Sequence, residues 1–438
     1  MTIDPGSRDG IALHIRERFH IESAESERRS QSEQATATAT ATSPLDSRSQ
    51  SQHSIWFATC ERFAKYAFNL AIQQWLLFGV IIVITIASQV QTPATQQNVK
   101  SEAVAYLCVA LIFLITGCTL SIHEFRESIS RWKVHLFVQI QCFLVTSAIV
   151  FGITSLLAMR RSLLSPGLLI GMITMGCMAT TISSNVVMTL QARGNSALTV
   201  AQTTIGNLIG AIVSPALVVM YTSTPTWYNK AIPVGGIRWS AMYGRVLQRL
   251  GLSLYLPLCV GLLLQWHAPL ACKTVLKDWQ LGKVGGACLL VLLWQTLDTA
   301  FAMGAFQDIP AESVAILILL GIGFYCFFQA YTIASSMLWL NRRDVVAVSY
   351  CVTAKGLAVG VPLANAIFAD ADNQLRAVIL IPLAVYQCIQ LVGGAILVMP
   401  FKHWVTKAEG RHLGDLSGLD DRERRMTSLQ GHEEATRE

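Results

Sequence analysis

The sequence predicts an all-α membrane protein with ten transmembrane helices. Of the 438 residues, 53% are hydrophobic and only 14% are charged, and the mean hydropathy is positive at +0.47. Water-soluble proteins normally carry about 25% charged residues, so a large soluble enzyme is excluded. The third observation is a series of ten long apolar stretches separated by short polar connections.

Each apolar stretch is long enough to cross a hydrocarbon core of about 30 Å as a helix. Lipid offers no hydrogen-bond partners to a bare backbone, so helices are expected throughout. We predict a disordered cytoplasmic N-terminal tail over residues 1–70, a membrane domain over residues 71–400 and a cytoplasmic C-terminal tail over residues 401–438. The predicted spans, in chain order, are 71–90, 103–122, 134–158, 166–190, 195–221, 246–266, 284–306, 313–340, 345–369 and 377–399.

The distribution of Lys and Arg predicts the orientation of the chain. With both tails on one side of the membrane, that side holds 24 Lys and Arg residues and the opposite connections hold 7. Positive residues accumulate on the cytoplasmic side, so both tails are predicted to be cytoplasmic. The net charge of +6 is therefore a topology signal, and no nucleic-acid partner is expected.

The fourth and ninth spans contain residues that interrupt a helix. Residues 178–185 include five hydroxyl or amide side chains, and residues 353–362 include two glycines, Lys355 and Pro362. Proline removes a backbone hydrogen bond from a helix. Ten spans divide into two inverted halves of five, and inverted repeats of secondary transporters place broken helices at matching positions near the midplane. Their exposed carbonyls and helix ends can bind a cation or an anionic substrate.

Several separated segments resemble one known family. The segment SNVVMTLQARGNSALTVAQT, residues 184–203, resembles the fourth and fifth spans of the bile acid:sodium symporter family, in the branch of member seven of solute carrier family ten and its fungal relatives. The resemblance implies two inverted five-helix repeats with broken, crossing fourth and ninth helices, a core and a panel domain, and alternating access. Further similar segments occur in the same order at residues 105–117, 135–140, 344–348, 355–362 and 381–387.

The resemblance also implies a cation site. By motif match, the hydroxyl and amide ligands of Na⁺ fall on Ser184, Asn185, Thr199 and Thr203, and a glutamine of the third span corresponds to Gln139. Such hard oxygen ligands suit Na⁺.

The ninth span departs from the family pattern. Family symporters carry a glutamate and then a glutamine there, whereas Ser349 and Thr353 stand at those positions. The missing carboxylate argues against coupling to two sodium ions. Lys355 lies close by, and its ammonium can stand in for a bound cation or exchange a proton.

Ionisable residues within spans are candidate functional residues, because they cost at least about 2.5–3.5 kcal/mol to insert. Lys355 either belongs to the site or snorkels to the interface. Asp298 is a cation ligand, a partner of Lys355 or the acceptor of a structural hydrogen bond. Asp344 is predicted to cap the ninth helix. The predicted substrate and ion site comprises Ser183, Ser184, Asn185, Thr199, Thr203, Gln139, Thr353, Lys355 and Asp298.

Two hypotheses about function follow. The motifs GxSxG, HExxH and GxxxxGK[ST] do not occur in the sequence, so an enzyme or an ATP-driven pump is not expected. The first hypothesis is a carrier of a small organic anion, with Na⁺ or H⁺ as coupling ion and no other cofactor. The resemblance implies negative regulation of calcium uptake at the plasma membrane, with an internal membrane as the alternative location. The second hypothesis is a non-transporting regulator that binds a calcium-entry channel or its regulators.

Overall fold

The computed structural model describes residues 75–120, 130–232, 239–278, 281–307 and 309–435. The predicted N-terminal tail, residues 1–70, lies outside the described residues. Within these ranges the regular elements are helices, and no strand is present. In chain order the α-helices are α1 (Trp75–Gln89), α2 (Gln97–Thr119), α3 (Trp132–Gln139), α4 (Thr146–Leu157), α5 (Pro166–Gly176), α6 (Ser183–Gln191), α7 (Ser196–Thr222), α8 (Trp239–Leu250), α9 (Leu256–His267), α10 (Pro269–Asp278), α11 (Leu281–Ala302), α12 (Ala311–Ser336), α13 (Arg342–Thr353), α14 (Leu357–Ile367) and α15 (Asn373–Ala435).

The helices confirm a multi-pass membrane protein. Across the described ranges, eight helical segments are long and apolar enough to cross a membrane, and α1 and α5 are shorter apolar helices. Helix α12 is typical of a lipid-facing span, because Leu319 and Phe327 are more than half exposed. Water-soluble proteins rarely expose apolar surface of this extent. The predicted membrane boundary at residue 400 falls inside α15, which continues as one helix to Ala435.

Two of the predicted spans are broken, at the places where the sequence is rich in polar residues, glycine and proline. The fourth span consists of α5, which ends at Gly176, and α6, which begins at Ser183. The ninth consists of α13 and α14, with residues 354–356 between them. The two breaks meet, since the Gly356 amide donates a 2.6 Å hydrogen bond to the carbonyl of Ala179.

Two further spans contain a π-helical segment. Ile140–Val145 separates α3 from α4, and Gly251–Tyr255 separates α8 from α9. A π segment shifts the hydrogen-bond register of the backbone, and such segments are frequent at functional sites.

The helices pack as two groups. In the first group, α2 packs against α9 and α11, and α1 packs against α11. In the second group, α15 packs against α5, α12 and α14, and α12 packs against α13. The groups contact each other through α8 on α14 and through α11 on α15. The first group comprises α1, α2 and α8 to α11; the second comprises α3 to α7 and α12 to α15.

Candidate functional site

Buried polar side chains join the fourth, fifth and ninth spans where the breaks meet. The Asn185 side-chain amide donates to Thr180 Oγ1 at 2.9 Å and to the carbonyl of Tyr350 at 3.1 Å. Asn207 donates to the carbonyls of Thr180 and Thr203, at 3.0 and 2.6 Å. The carbonyls left free by the break in the fourth span are thus used by neighbouring helices.

Lys355 lies at the centre of this region and is fully buried. Its Nζ donates to the Cys142 carbonyl at 2.6 Å, to Thr146 Oγ1 at 2.8 Å and to the Met178 carbonyl at 3.2 Å. Cys142 Sγ lies 3.7 Å from the same nitrogen, and none of the four acceptors is a carboxylate. The prediction that Lys355 lies deep in the membrane domain is confirmed, and a side chain that snorkels to the interface is excluded.

The Lys355 backbone is held from both sides by one glutamine. Gln390 Oε1 accepts from the Lys355 amide at 2.7 Å, and Gln390 Nε2 donates to its carbonyl at 2.9 Å. Next to it, the Tyr386 hydroxyl donates to the Thr353 carbonyl at 2.8 Å. These bonds satisfy the backbone where α13 ends, so the break is a fixed feature of the fold.

The other predicted site residues make mostly local hydrogen bonds. The Thr199 hydroxyl donates to Thr189 at 3.1 Å, and Ser184 Oγ lies 3.2 Å from the Thr181 hydroxyl. The Thr203 and Thr353 hydroxyls bond to carbonyls of their own helices. Gln139 reaches across to the fifth span, where its Nε2 donates to Gln202 Oε1 at 3.1 Å.

The predicted sodium ligands offer the right atoms without a carboxylate. Ser184, Asn185, Thr199 and Thr203 are all buried and carry hydroxyl or amide oxygens, the ligand type that Na⁺ takes. The Ser349 hydroxyl, at the position of the family glutamate, bonds to the carbonyl of Val346. A sodium site at these four residues stays a prediction.

Asp298 is not the partner of Lys355. Its buried carboxylate forms an ion pair with Lys100 and accepts from Gln97 Nε2 at 2.8 Å and from the Thr92 amide at 3.0 Å. The predicted second span starts at residue 103, so Lys100 falls outside it. Helix α2 begins at Gln97 and carries Lys100 into the first group.

A cavity of about 340 Å³ lies between the two groups of helices. Its volume is within the range of about 300–1,000 Å³ that is typical of sites for small ligands. The first group lines it with Val99, Glu102, Ala105, Tyr106, Arg249, Ser253, Gln295, Thr299 and Met303, and the second group with Pro362, Asn365, Asn373, Arg376, Ala377 and Leu380.

The two arginines of the cavity differ in their partners. Arg249 lies 3.4 Å from the carboxylate of Glu102. Arg376 donates to the uncharged side chain of Asn373, and its buried Nε has no hydrogen-bond partner. Gln295 is 1% exposed, and its Oε1 likewise accepts no hydrogen bond. None of these residues belongs to the site predicted from the sequence, because they lie at the ends of five separate spans.

The cavity lies at one end of the membrane domain. Asn365 of the cavity and Asp344 lie near opposite ends of the 26-residue span Arg342–Ile367. Arg342, beside Asp344, donates to the Trp404 carbonyl at 2.9 Å. We call the end that holds Asp344 and Trp404 the tail face, and the cavity lies at the face opposite to it.

Asp344 connects three spans at the tail face. Its carboxylate accepts from Arg131 at 2.6 Å, from Asn195 at 2.7 Å and from Asn341 at 2.9 Å. The cap of α13 is Asn341, whose Oδ1 accepts from the Asp344 amide at 2.9 Å. The prediction that Asp344 is the capping residue is therefore wrong, although it does lie in the first turn, where its charge favours the helix dipole.

The space between the two groups of helices is smaller near the tail face than at the opposite face. A smaller cavity of about 80 Å³ is lined by Thr116, Ser183 and Gly285, among others. A Cβ atom on Gly285 would lie 2.9 Å from Ser183 Oγ, so the groups are in close contact there. Ser183 is thus the predicted site residue that faces the first group.

Comparison with known proteins agrees with this architecture. Residues 74–403 match the SBF-like CPA transporter family. The chain is 34% identical to solute carrier RCH1 of Candida albicans over 77% of its length and 90% of the relative, and 30% identical to solute carrier RCH1 of Saccharomyces cerevisiae over 81% and 87%. It is 24% identical to sodium/bile acid cotransporter 7 of Mus musculus, over 77% of its own length and 95% of that protein.

These matches confirm the resemblance that the separated segments carry. The relatives are carriers and not enzymes by name, and the match spans every helix described above from α1 into α15. The chain therefore belongs to the SBF-like CPA transporter family, as a membrane transporter of the bile acid:sodium symporter type.

Proposed function

We propose that this protein is a secondary carrier that moves a small organic anion by alternating access. The observation that carries the proposal is the cavity of about 340 Å³ between the two groups of helices. Transport by movement of one group against the other requires a solute compartment at such a boundary. The wider proposal includes ten spans in two inverted repeats, in which α5–α6 and α13–α14 are the matching broken helices.

The charges of the cavity favour an anion. Arg249 is balanced by Glu102, whereas Arg376 donates to the uncharged Asn373 and has no ion-pair partner among the described residues. One positive charge is therefore uncompensated, and a guanidinium with free donors is suited to a carboxylate or a similar group. Met303, Pro362 and Leu380 add apolar surface, so the solute should combine one negative charge with an apolar body.

The two faces of the boundary support a direction of access. The large cavity lies opposite the tail face, and the groups are in close contact at Ser183 and Gly285 on the tail side. With both tails cytoplasmic, the cavity would face the exterior of a plasma membrane. Because Ser349 replaces the family carboxylate, we propose H⁺ as the coupling ion, with Na⁺ at Ser184, Asn185, Thr199 and Thr203 as the alternative.

Uptake into proteoliposomes tests the carrier. We expect Arg376→Ala to lower the uptake of a transported monoanion about 10- to 100-fold, since a hydrogen bond to a charged group contributes about 1.5–3 kcal/mol. Arg161→Ala is the matched control, because Arg161 is exposed, does not line the cavity and stacks on Trp227. Equal loss in both variants, or no uptake of any monoanion under imposed ion gradients, would overturn the proposal.

We also propose that the protein lowers calcium uptake in the cell, as the resemblance implies. The second candidate is a regulator that does not transport and instead binds a calcium-entry channel. The uncharged Ser349 and Thr353, both bonded within their own helix, support this alternative. Cytosolic calcium transients are measured in cells with Asn185→Ala, Arg376→Ala or truncated tails. Loss of control only on truncation favours the regulator, and loss only in the site variants favours the carrier.

A further inference from the structure

The ammonium of Lys355 is surrounded by oxygen atoms in the way that a small bound cation would be. The three oxygen acceptors come from two spans: Cys142 and Thr146 from the third and Met178 from the fourth. Backbone carbonyls and a hydroxyl are the neutral ligands that proteins offer to hard cations.

Irregular backbone makes these oxygen atoms available. Cys142 lies in the π segment Ile140–Val145, and Met178 lies in the interval between α5 and α6. In a regular helix the carbonyls at both positions would be directed along the helix axis to a backbone amide. Both departures from helical geometry occur beside the Lys355 side chain, so the backbone is shaped around it.

The hydrogen-bond partners of the Lys355 nitrogen suit an ammonium. The Thr146 hydroxyl donates its only hydrogen to the Cys142 carbonyl at 2.5 Å. It can therefore only accept from Lys355, as the two carbonyls do. Three acceptors need three N–H donors, which an ammonium has and a neutral amine lacks.

We propose that the Lys355 ammonium is a built-in cation that occupies an oxygen-lined site at the crossing of the broken helices, so that no Na⁺ is needed there. Removal of the side chain beyond Cβ would take the ammonium donor away from all three oxygen atoms and open the site to a free monovalent cation. This site does not depend on transport. The consequence that uptake runs without Na⁺ rests on the proposed carrier function.

Thermal unfolding of the purified full-length protein in NaCl, KCl, NH₄Cl and choline chloride at equal ionic strength tests the site. Lys355→Ala should have a Tm several degrees higher in at least one of the small-cation salts than in choline chloride, because binding to the folded state alone is stabilising. Lys355→Met is the matched control, since it is uncharged but fills the space. We expect it to unfold at the same temperature in all four salts.

The wild-type protein provides a second measurement that needs no variant. Its Tm should be equal in the four salts, because the site is already filled. A dependence of Tm on the salt that is no larger for Lys355→Ala than for the wild type would contradict the proposal. If Lys355→Ala does not fold, Lys355→Ser takes its place in the same comparison. If the wild-type protein takes up no anion while the Tm values of all variants behave as expected, the carrier proposal fails and the cation site stands.

Discussion

Substitution of Gly356 by alanine tests whether the two breaks are packed as closely as the structure indicates. A Cβ at this position would lie 3.0 Å from the Thr180 carbonyl oxygen and 3.1 Å from that of Ala179. Both atoms belong to the backbone, and the Gly356 amide donates to Ala179 at only 2.6 Å. The methyl group can therefore be accommodated only by separating the two broken helices.

The magnitude follows from three contributions. Overpacking costs about 1–3 kcal/mol, and a lengthened backbone hydrogen bond forfeits up to about 1 kcal/mol. Alanine restricts the unfolded chain, which raises the stability of the folded protein by about 0.4–1 kcal/mol and offsets part of this loss. Its backbone is unstrained, since Gly356 has φ −82° and ψ 116°, which any residue adopts. We expect Gly356→Ala to lower the free energy of unfolding by about 1–3 kcal/mol.

Gly323→Ala is the matched control for this experiment. Gly323 lies within α12, and a Cβ there would have no atom within 4 Å. Alanine in a helix interior is favoured over glycine by about 0.5–1 kcal/mol, so this variant should be slightly more stable than the wild type. Denaturant unfolding in detergent, with uptake measured in parallel, compares the two. If both variants are equally stable, the breaks do not pack at this distance and the crossing is not the rigid centre of the site.

Three further predictions concern charged residues. Lys100→Met should destabilise the protein by about 3–5 kcal/mol, because it leaves the fully buried Asp298 without its ion-pair partner. In a double-mutant cycle measured by thermal unfolding, Asp298→Asn should destabilise the protein less than Lys100→Met does, and so should the double variant. Asp344→Ala should cost at least about 2 kcal/mol of unfolding free energy, because three donors lose their acceptor, whereas Asp370→Ala, which removes only an exposed ion pair with Arg245, should cost less than about 1 kcal/mol. With the native cysteines replaced, Asn373→Cys should react with an impermeant thiol reagent from outside intact cells and His403→Cys should not; reaction of both from one side would overturn the predicted orientation.

Local composition was sufficient to predict the positions of the helices and of the two breaks. Long apolar stretches mark most of the spans, and the polar cluster at residues 178–185 and the glycines around Lys355 coincide with the interrupted helices. These features act within a few residues of the chain. A hydrophobic stretch cannot satisfy its backbone in lipid except as a helix, so its structure follows from its composition.

The partners of the charged residues could not be predicted in the same way. Lys355 binds two carbonyls, which every residue carries, so no side chain in the sequence marks them. Lys100 falls in a predicted connection because charged residues at the start of α2 lower the hydropathy there. The cavity unites Glu102, Arg249 and Arg376, which are more than a hundred residues apart in sequence and become neighbours only through packing of the two groups.

The distribution of buried charge separates the two groups of helices. In the first group, Asp298 is neutralised by Lys100, and at the tail face Asp344 is neutralised by Arg131. Lys355 and Arg376 lack a carboxylate partner among the described residues, and both belong to the second group. An anion bound at Arg376 neutralises the charge of Arg376, and the charge of Lys355 stays without a carboxylate partner. A free coupling ion can leave the protein and so adds its gradient to the driving force, whereas a tethered ammonium stays with the second group. If that group carries the solute, the charge of Lys355 moves out and back in every cycle. The membrane potential then acts on each of the two movements, but the tethered ammonium adds no net driving force.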